Sequence, residues 1–321
     1  MDALSDILRL VRLAGGVYLQ AEFTAPWCLE GKLRPHHIGP MLHSSEHVII
    51  YHYVLEGSVW VKIRDLQPRL YEAGEVIIMP HNDLHKLGSN LDVTPGSKSD
   101  IVETPHRLGL ARMEYGGGGE ATKLICGYLG CDKLEASPLI ASLPPTLSFD
   151  ARKGEAADWI KTSFHFAAEE VANGKPGGDA ILARISELLF VEAVRRYVES
   201  LPEDEKGWLA GLRDAQVSKA LALMHADCAY GWTVEKLAAE CALSRSAFAE
   251  KFARIIGETP MQYFGHWRLQ VADRYLKDEQ NSIAQIATDV GFGSEAAFSR
   301  AYKKHFGASP SSRRRKREIE E

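Results

Sequence analysis

Thr233-Val234-Glu235-Lys236-Leu237-Ala238 and Ser282-Ile283-Ala284-Gln285-Ile286-Ala287 are the same opening, written twice. The first copy continues through Leu243-Ser244-Arg245-Ser246-Ala247-Phe248 to Phe252, Gly257, Thr259 and Pro260. The second continues through Phe292, Ser294, Phe298 and Tyr302 to Gly307, Ser309 and Pro310. The offset is 49 residues at Thr233/Ser282 and 50 from Ser244/Ser294 onward, so the second turn holds one extra residue. Self-similarity at a fixed period marks two equal supersecondary units within Trp232–Pro310.

Each unit reads as helix, turn, helix. Thr233 and Ser282 are N-caps whose side-chain oxygens can accept orphan backbone N–H groups, and Ser282 with Gln285 has capping-box spacing. Ser244 and Ser294 cap the second helix of each unit. The pairs Phe248/Phe252 and Phe298/Tyr302, at i, i+4, form its inward stripe. Gly257 and Gly307 close it, and Thr259-Pro260 and Ser309-Pro310 each start another helix with Pro at the first position. The helix beginning at Pro260 is expected to reach Lys277, about 27 Å at 1.5 Å per residue. That length holds two recognition helices in successive major grooves, about 34 Å apart. Arg268 on it is read as a brace between the halves.

Residues 214–310 resemble the AraC/XylS family of bacterial transcription regulators. The likeness is carried by Trp232-Thr233-Val234, Leu243–Phe248, Gly257, Pro260, Tyr263, Arg268-Leu269, Ala272, Leu276, Ile286-Ala287, Gly291-Phe292, Phe298-Ser299-Arg300-Ala301, Gly307 and Pro310. Ser312 departs from the family's usual Tyr. The resemblance implies DNA binding through both second helices. Their buried phenylalanines cannot read bases. The outward candidates are Arg245, Ser246, Ala249, Glu250 and Lys251 in the first helix, and Ser294, Glu295, Ala296, Ser299, Arg300 and Lys303 in the second. Arg suits guanine O6/N7, Glu suits cytosine N4, and Ala suits a thymine methyl.

With 321 residues the chain has room for about two domains. No apolar run is long enough to span a bilayer. Met1–Asp6 has no basic n-region, so no secretory signal is expected. Five scattered cysteines suit a reducing cytoplasm. The net charge of −5 is split unevenly. Residues 214–321 carry 16 Lys and Arg against 14 Asp and Glu, and the rest carries 22 against 29. An acidic sensor joined to a DNA binder has this sign. The tail Arg313–Arg317 is either a phosphate contact or a solvated end.

The N-terminal part opens with an amphipathic helix over 5–14 and turns to short strands. Val48–Ile63 is broken at Glu56-Gly57-Ser58, and Gly74-Glu75 separates Leu70-Tyr71 from Val76–Met79. Such spacing suggests a small barrel or jelly roll. Residues 88–106 read as a loop. Gly116–Gly119 lacks the Lys-Ser/Thr of a P-loop and reads as a turn. Helices are expected over 155–172 and Asp179–Leu201, the second with a wide stripe of Ile181, Leu182, Ile185, Leu188, Leu189 and Ala193. This part resembles the cupin sensor domain found on many AraC-type regulators, through His52–Gly57, Gly74-Glu75, Met79-Pro80, His85, Cys126-Gly127 and Leu143-Pro144. Asn82 stands where the second cupin motif has Gly. The first motif's ligand set is not intact, because His43, Glu46, His47 and His52 miss its spacing.

His52 and His85 are therefore candidates for an effector site or one weak metal ion, against a plain structural role. His36-His37 and His81 are weaker candidates. No cofactor is required. Cys126 and Cys131 raise a redox switch, but five extended residues span about 16 Å and face opposite sides, whereas a disulfide needs Cα atoms within about 7 Å. Cys228 and Cys241 are read as core thiols. The expected architecture is α+β: a cupin-like sensor and dimerisation domain over 1–200, a linker over 201–213, and an all-α DNA-binding domain over 214–315. The expected function is a cytoplasmic promoter-binding regulator, usually an activator in this family. It would respond to a small-molecule or redox signal, act as a homodimer and partner RNA polymerase, with no membrane role. The rival reading is a metal-dependent cupin enzyme with a DNA-binding appendage.

Overall fold

The computed structural model describes residues 2–11, 13–33, 47–96, 102–104, 111–131, 138–154, 158–160, 162–163, 166, 177–276 and 281–314. The chain forms two compact units. One is Arg12–Ser200; the other joins Met1–Val11 to Leu201–Glu321.

The first helix, α1 (Ala3–Val11), is shorter than the expected 5–14. Ala3, Ile7 and Val11 form a buried i, i+4, i+8 stripe, and it packs against the helix Ala215–Ala226. α1 lies within the expected domain 1–200 in sequence but groups with the helical unit. Its apolar face is matched by the far end of the chain, a pairing that local periodicity does not encode.

The unit Arg12–Ser200 is built of β1 (Ala14–Thr24), β2 (Cys28–Gly31), β3 (His47–Glu56), β4 (Ser58–Ile63), β5 (Arg69–Glu72), β6 (Glu75–Met79), β7 (His85–Gly88), β8 (Val102–Thr104), β9 (Ala111–Gly116), β10 (Ala121–Cys131), α2 (Pro138–Ser142), β11 (Leu147–Asp150) and α3 (Gly178–Ser200). A seven-stranded sheet, β11-β6-β3-β10-β1-β9-β8, accompanies a four-stranded sheet, β2-β7-β4-β5. One apolar interior draws on both: Leu19 and Phe23 from β1, Val48, Ile50 and Val54 from β3, Val59, Val61 and Ile63 from β4, and Leu124, Cys126 and Tyr128 from β10. The sharp turns expected at Gly57 and Gly74 are present. Asn82, in the place of a motif glycine, has φ 51°, a left-handed conformation that Asn tolerates better than most residues. Its amide also bonds both the N–H and the C=O of Leu33, at 3.2 and 2.7 Å.

β3 is buried on both faces, which explains its nearly unbroken apolar run. One face lines the interior. On the other, Tyr51 hydroxyl meets Ser186 Oγ of α3 at 2.7 Å. The Tyr51 ring lies across Gly127, where a Cβ would come within 2.1 Å of it, so this strand position accepts no side chain. α3 lies mainly against β1, with Leu182, Ile185, Leu189 and Ala193 buried, Ile181 half-buried and Leu188 48% exposed. Most of the wide stripe is thus used inside the unit. Of the helix expected over 155–172, residues 158–160, 162–163 and 166 are helical with Ile160 buried; Ala156, Phe164, Ala167 and Val171 lie outside the described residues. The glycine run is a bonded turn. Gly117 N–H donates to Thr24 O, Gly119 N–H to Ala25 O and Gly118 N–H to Thr24 Oγ1, each at 2.8–2.9 Å.

The helical unit continues through α4 (Trp208–Gly211), α5 (Ala215–Ala226), α6 (Val234–Glu240), α7 (Arg245–Ile256), α8 (Pro260–Tyr275), α9 (Ile283–Asp289) and α10 (Glu295–Phe306). α4 falls inside the segment 201–213 that reads as linker. Its Trp208 is buried and its indole N–H donates to Tyr263 hydroxyl at 2.8 Å, so the helical unit begins earlier than residue 214. Thr233, Ser244, Ser282 and Ser294 each accept a backbone N–H at the N-cap, as read. The capping box expected at Ser282–Gln285 is only half made, because Gln285 Nε2 donates to Asp289 instead. The complete box is Thr259–Gln262. Gly257 and Gly307 end α7 and α10 at φ 94° and 76°, the left-handed cap that glycine adopts without strain. α8 has 16 residues, about 24 Å.

Candidate nucleic-acid interface and barrel interior

α7 and α10 are the second helices of the repeated units. Phe248, Phe252, Phe298 and Tyr302 are fully buried and fix which face each helix turns outward. Two braces tie the units to α8. Arg268 donates from Nε to Cys228 O at 2.6 Å and from Nη2 to Tyr230 O at 3.0 Å, with its guanidinium 4.2 Å over the Phe264 ring. Tyr302 hydroxyl donates to Asp273, whose carboxylate also faces Arg313 Nε at 3.3 Å. Arg268 is therefore committed to the scaffold, as its position suggests.

On α7, Arg245, Ser246 and Glu250 are exposed and Ala249 is half-buried. Arg245 Nε lies 2.6 Å from Glu235 Oε1. Lys251 turns away from the outward face. Its half-buried ammonium sits 2.7 Å from Asp214 Oδ2 and 2.6 Å from Gln216 Oε1, at the N-terminus of α5. Attraction to a fixed carboxylate and to the capping turn of α5 wins over exposure, so this candidate is a brace. On α10, Glu295, Ala296, Arg300 and Lys303 are exposed, Ser299 is half-buried, and Ser294 is occupied as the N-cap. Arg254 and Lys304 are also exposed, one turn beyond Glu250 and Arg300. The sequence reading omitted both, although the same i+4 spacing reaches them. A groove of about 310 Å³ runs beside α7, lined by Val234, Arg245, Ser246, Ala249, Thr259, Pro260 and Met261.

In the barrel, His52 alternates with Ile50 and Val54 into the interior, and both it and His85 are buried. Their ring centroids are 5.9 Å apart. His85 Nδ1–H donates to Asp83 O at 2.8 Å. His52 Nδ1 meets Cys126 Sγ at 3.0 Å, and its Nε2 is buried with no partner among the described residues. Burial, with His85 nearby, pushes His52 down to about pKa 3; burial also lowers His85, opposed by Asp83. Both rings are neutral at pH 7, so they offer hydrogen bonds and no positive charge. Among the described residues no group of three or more His, Cys, Asp or Glu is placed to hold a metal. The Cys126 thiol is pushed up to about pKa 12 by burial. Neither Cys126 nor Cys131 is in a disulfide, and both lie on one extended strand. Cys241 is buried, as a core thiol should be, and Cys228 is only half-buried. His47 and His81 are used structurally, bonded to Pro80 O and Leu143 O. His36, His37, His43 and Glu46 lie outside the described residues.

No helix among the described residues is long and apolar enough to cross a membrane. Among known proteins, a cupin family model matches residues 2–199 and a helix-turn-helix domain model matches residues 237–316. The chain is 31% identical to the HTH-type transcriptional regulator AlkR of Acinetobacter baylyi, over 97% of this chain and 98% of that protein. It is 28% identical to a putative AraC-like transcription regulator of Streptomyces antibioticus, over 97% of each. It is 27% identical to the RCS-specific HTH-type transcriptional activator RclR of Escherichia coli, over 97% of this chain and 96% of that protein. Two repeated helix-turn-helix units behind a cupin-type sheet domain agree with these matches along the whole chain, and it belongs to the AraC-like family of DNA-binding transcription regulators with an N-terminal cupin domain.

Proposed function

We propose that the barrel is the sensor and that its ligand is a small, uncharged molecule bearing a hydrogen-bonding group. The observation that carries this is His52 Nε2, buried beside His85 on a largely apolar wall with no partner among the described residues. A buried polar atom of this kind is costly until something bonds it, and small-molecule sites in general place few polar groups on apolar linings. Neutral imidazoles favour an alcohol, carbonyl or amide over a carboxylate. A thiol-oxidation signal is less favoured, because Cys126 is buried and held protonated.

In this reading the protein requires no cofactor and carries out no catalysis. It acts as a homodimer in the cytoplasm, activates transcription with RNA polymerase, and reads its operator through the outward residues of α7 and α10. The names of its relatives support it, as does the finding that none of the five cysteines is in a disulfide. The test is a thermal-shift screen of neutral alcohols, ketones and amides against matched carboxylates, followed by a promoter-fusion reporter. Neutral compounds should raise the melting temperature. His52→Ala and His85→Ala should lose the reporter response to them while still binding operator. Two variants that respond as wild type does would move the sensor elsewhere.

A further inference from the structure

The two recognition helices correspond residue for residue at an offset of 50, so their outward faces compare position by position. Where α7 carries Glu250, Ala253 and Arg254, α10 carries Arg300, Lys303 and Lys304. All are exposed except the half-buried Ala253. The other two cations of α7 are already paired, Arg245 with Glu235 and Lys251 with Asp214. None of the three cations on α10 has an ion-pair partner among the described residues. The outward charge of those three positions is thus balanced on the first helix and threefold positive on the second. Beside α7 lies a groove whose apolar walls, Val234, Ala249, Pro260 and Met261, can take a thymine methyl, with Arg245, Ser246 and Thr259 beside them as polar groups.

We propose that the two units divide the work on DNA: the second grips the phosphate backbone through Arg300, Lys303 and Lys304, and the first discriminates sequence through Ser246, Ala249 and Glu250. This rests on the operator-binding reading and takes Arg300 away from the base-reading role its sequence position suggests. Phosphate contacts fix position and carry the salt dependence, whereas base-edge contacts carry preference.

The experiment measures full-length protein on operator and on random duplex across a salt series, with a base-substitution scan of the operator. Replacing Arg300, Lys303 and Lys304 together by Gln should flatten the log–log salt slope by about 2 to 3, near 0.9 per phosphate contact. It should weaken operator and random DNA by similar factors. Glu250→Gln should leave the slope within about half a unit of wild type and relax preference at one operator position. The proposal is overturned if the triple variant loses preference at defined base positions with its slope unchanged, or if Glu250→Gln leaves the base scan as in wild type. A wild type that binds operator no better than random DNA would instead sink the operator-binding reading itself.

Discussion

The ammonium of Lys251 is held between Asp214 and Gln216, and that geometry decides what its removal does. The Asp214 carboxyl also caps α5, accepting from Gln216 N and Val217 N, and Lys251 helps to keep it below the usual carboxylate range even though burial opposes this. Lys251→Ala should therefore lower helical-unit stability by about 1 kcal/mol, the upper range for a partly exposed pair, and leave base preference unchanged; a denaturant melt and an operator base scan separate the two effects. Helical periodicity finds Lys251 but cannot say which way a long flexible side chain turns, because Asp214 is 37 residues away in sequence. Ser246, Glu250 and Arg300 were legible because exposure at those positions follows directly from the buried Phe248 and Phe298. His52 was legible for a similar reason, strand alternation. Its bond to Cys126 was not, since it depends on the register that sets Cys126 opposite His52 in β10.

At the scale of elements, the apolar stripe of α3 is turned mostly to its own unit. Ile185 is buried and faces the unit's own sheet, with β1 as the main contact. Gly15 lets the helix approach, since a Cβ there would come within 3.0 Å of Ala183 O. Ile185→Asp should thus unfold the barrel unit, with a loss of several kcal/mol for an unpaired buried charge. It should not produce a folded monomer. Leu188, half exposed on the same helix, is the position that tests self-association. Leu188→Asp should keep the melting temperature within a few degrees of wild type and shift sedimentation from dimer to monomer. A wild-type sedimentation coefficient for Leu188→Asp would exclude this face of α3 from a dimer contact. The helices of the two helix-turn-helix units were legible because their N-caps, turns and buried aromatic pairs are local in sequence, although Gln285 bonds Asp289 and leaves its capping box half made. Strand β1 was harder to see, since Gly15-Gly16 and the mixed polarity of Gln20-Ala21-Glu22 blur its alternation.

Across the whole molecule, each unit contains a histidine that burial pushes far below the ordinary imidazole range. His52 and His225 are both pushed down to about pKa 3, His225 where its ring stacks 3.6 Å from Trp267 and bonds Tyr263 hydroxyl at 2.7 Å. The unfolded chain takes up a proton at each of them as pH falls below about 6.5, and the folded chain does not until near pH 3. The unfolded state then binds more protons, so stability is full above pH 6.5 and falls as pH drops, by up to about 1.4 kcal/mol per pH unit for each histidine. Guanidinium melts at pH 7, 6 and 5 should show this decline, and His225→Gln should flatten it for the helical unit; a decline unchanged in that variant would assign it to other groups.

The docking of α1 on α5 has a different kind of consequence. The chain leaves the helical unit at Val11 and returns to it at Leu201, so the barrel is, in topology, a domain inserted into a discontinuous helical one. A fragment begun at residue 201 lacks a piece of its own fold and bares the seat of Ala3, Ile7 and Val11. Such a fragment should melt lower than the helical unit of the full chain. A synthetic peptide of residues 2–12 should bind it and raise its melting temperature, and joining that peptide to residue 201 through a Gly/Ser linker should restore the stability without the barrel. If the peptide has no effect, α1 contributes nothing to that unit. If it binds, the barrel holds both loose ends of its neighbour, and its unfolding releases two tethers at once.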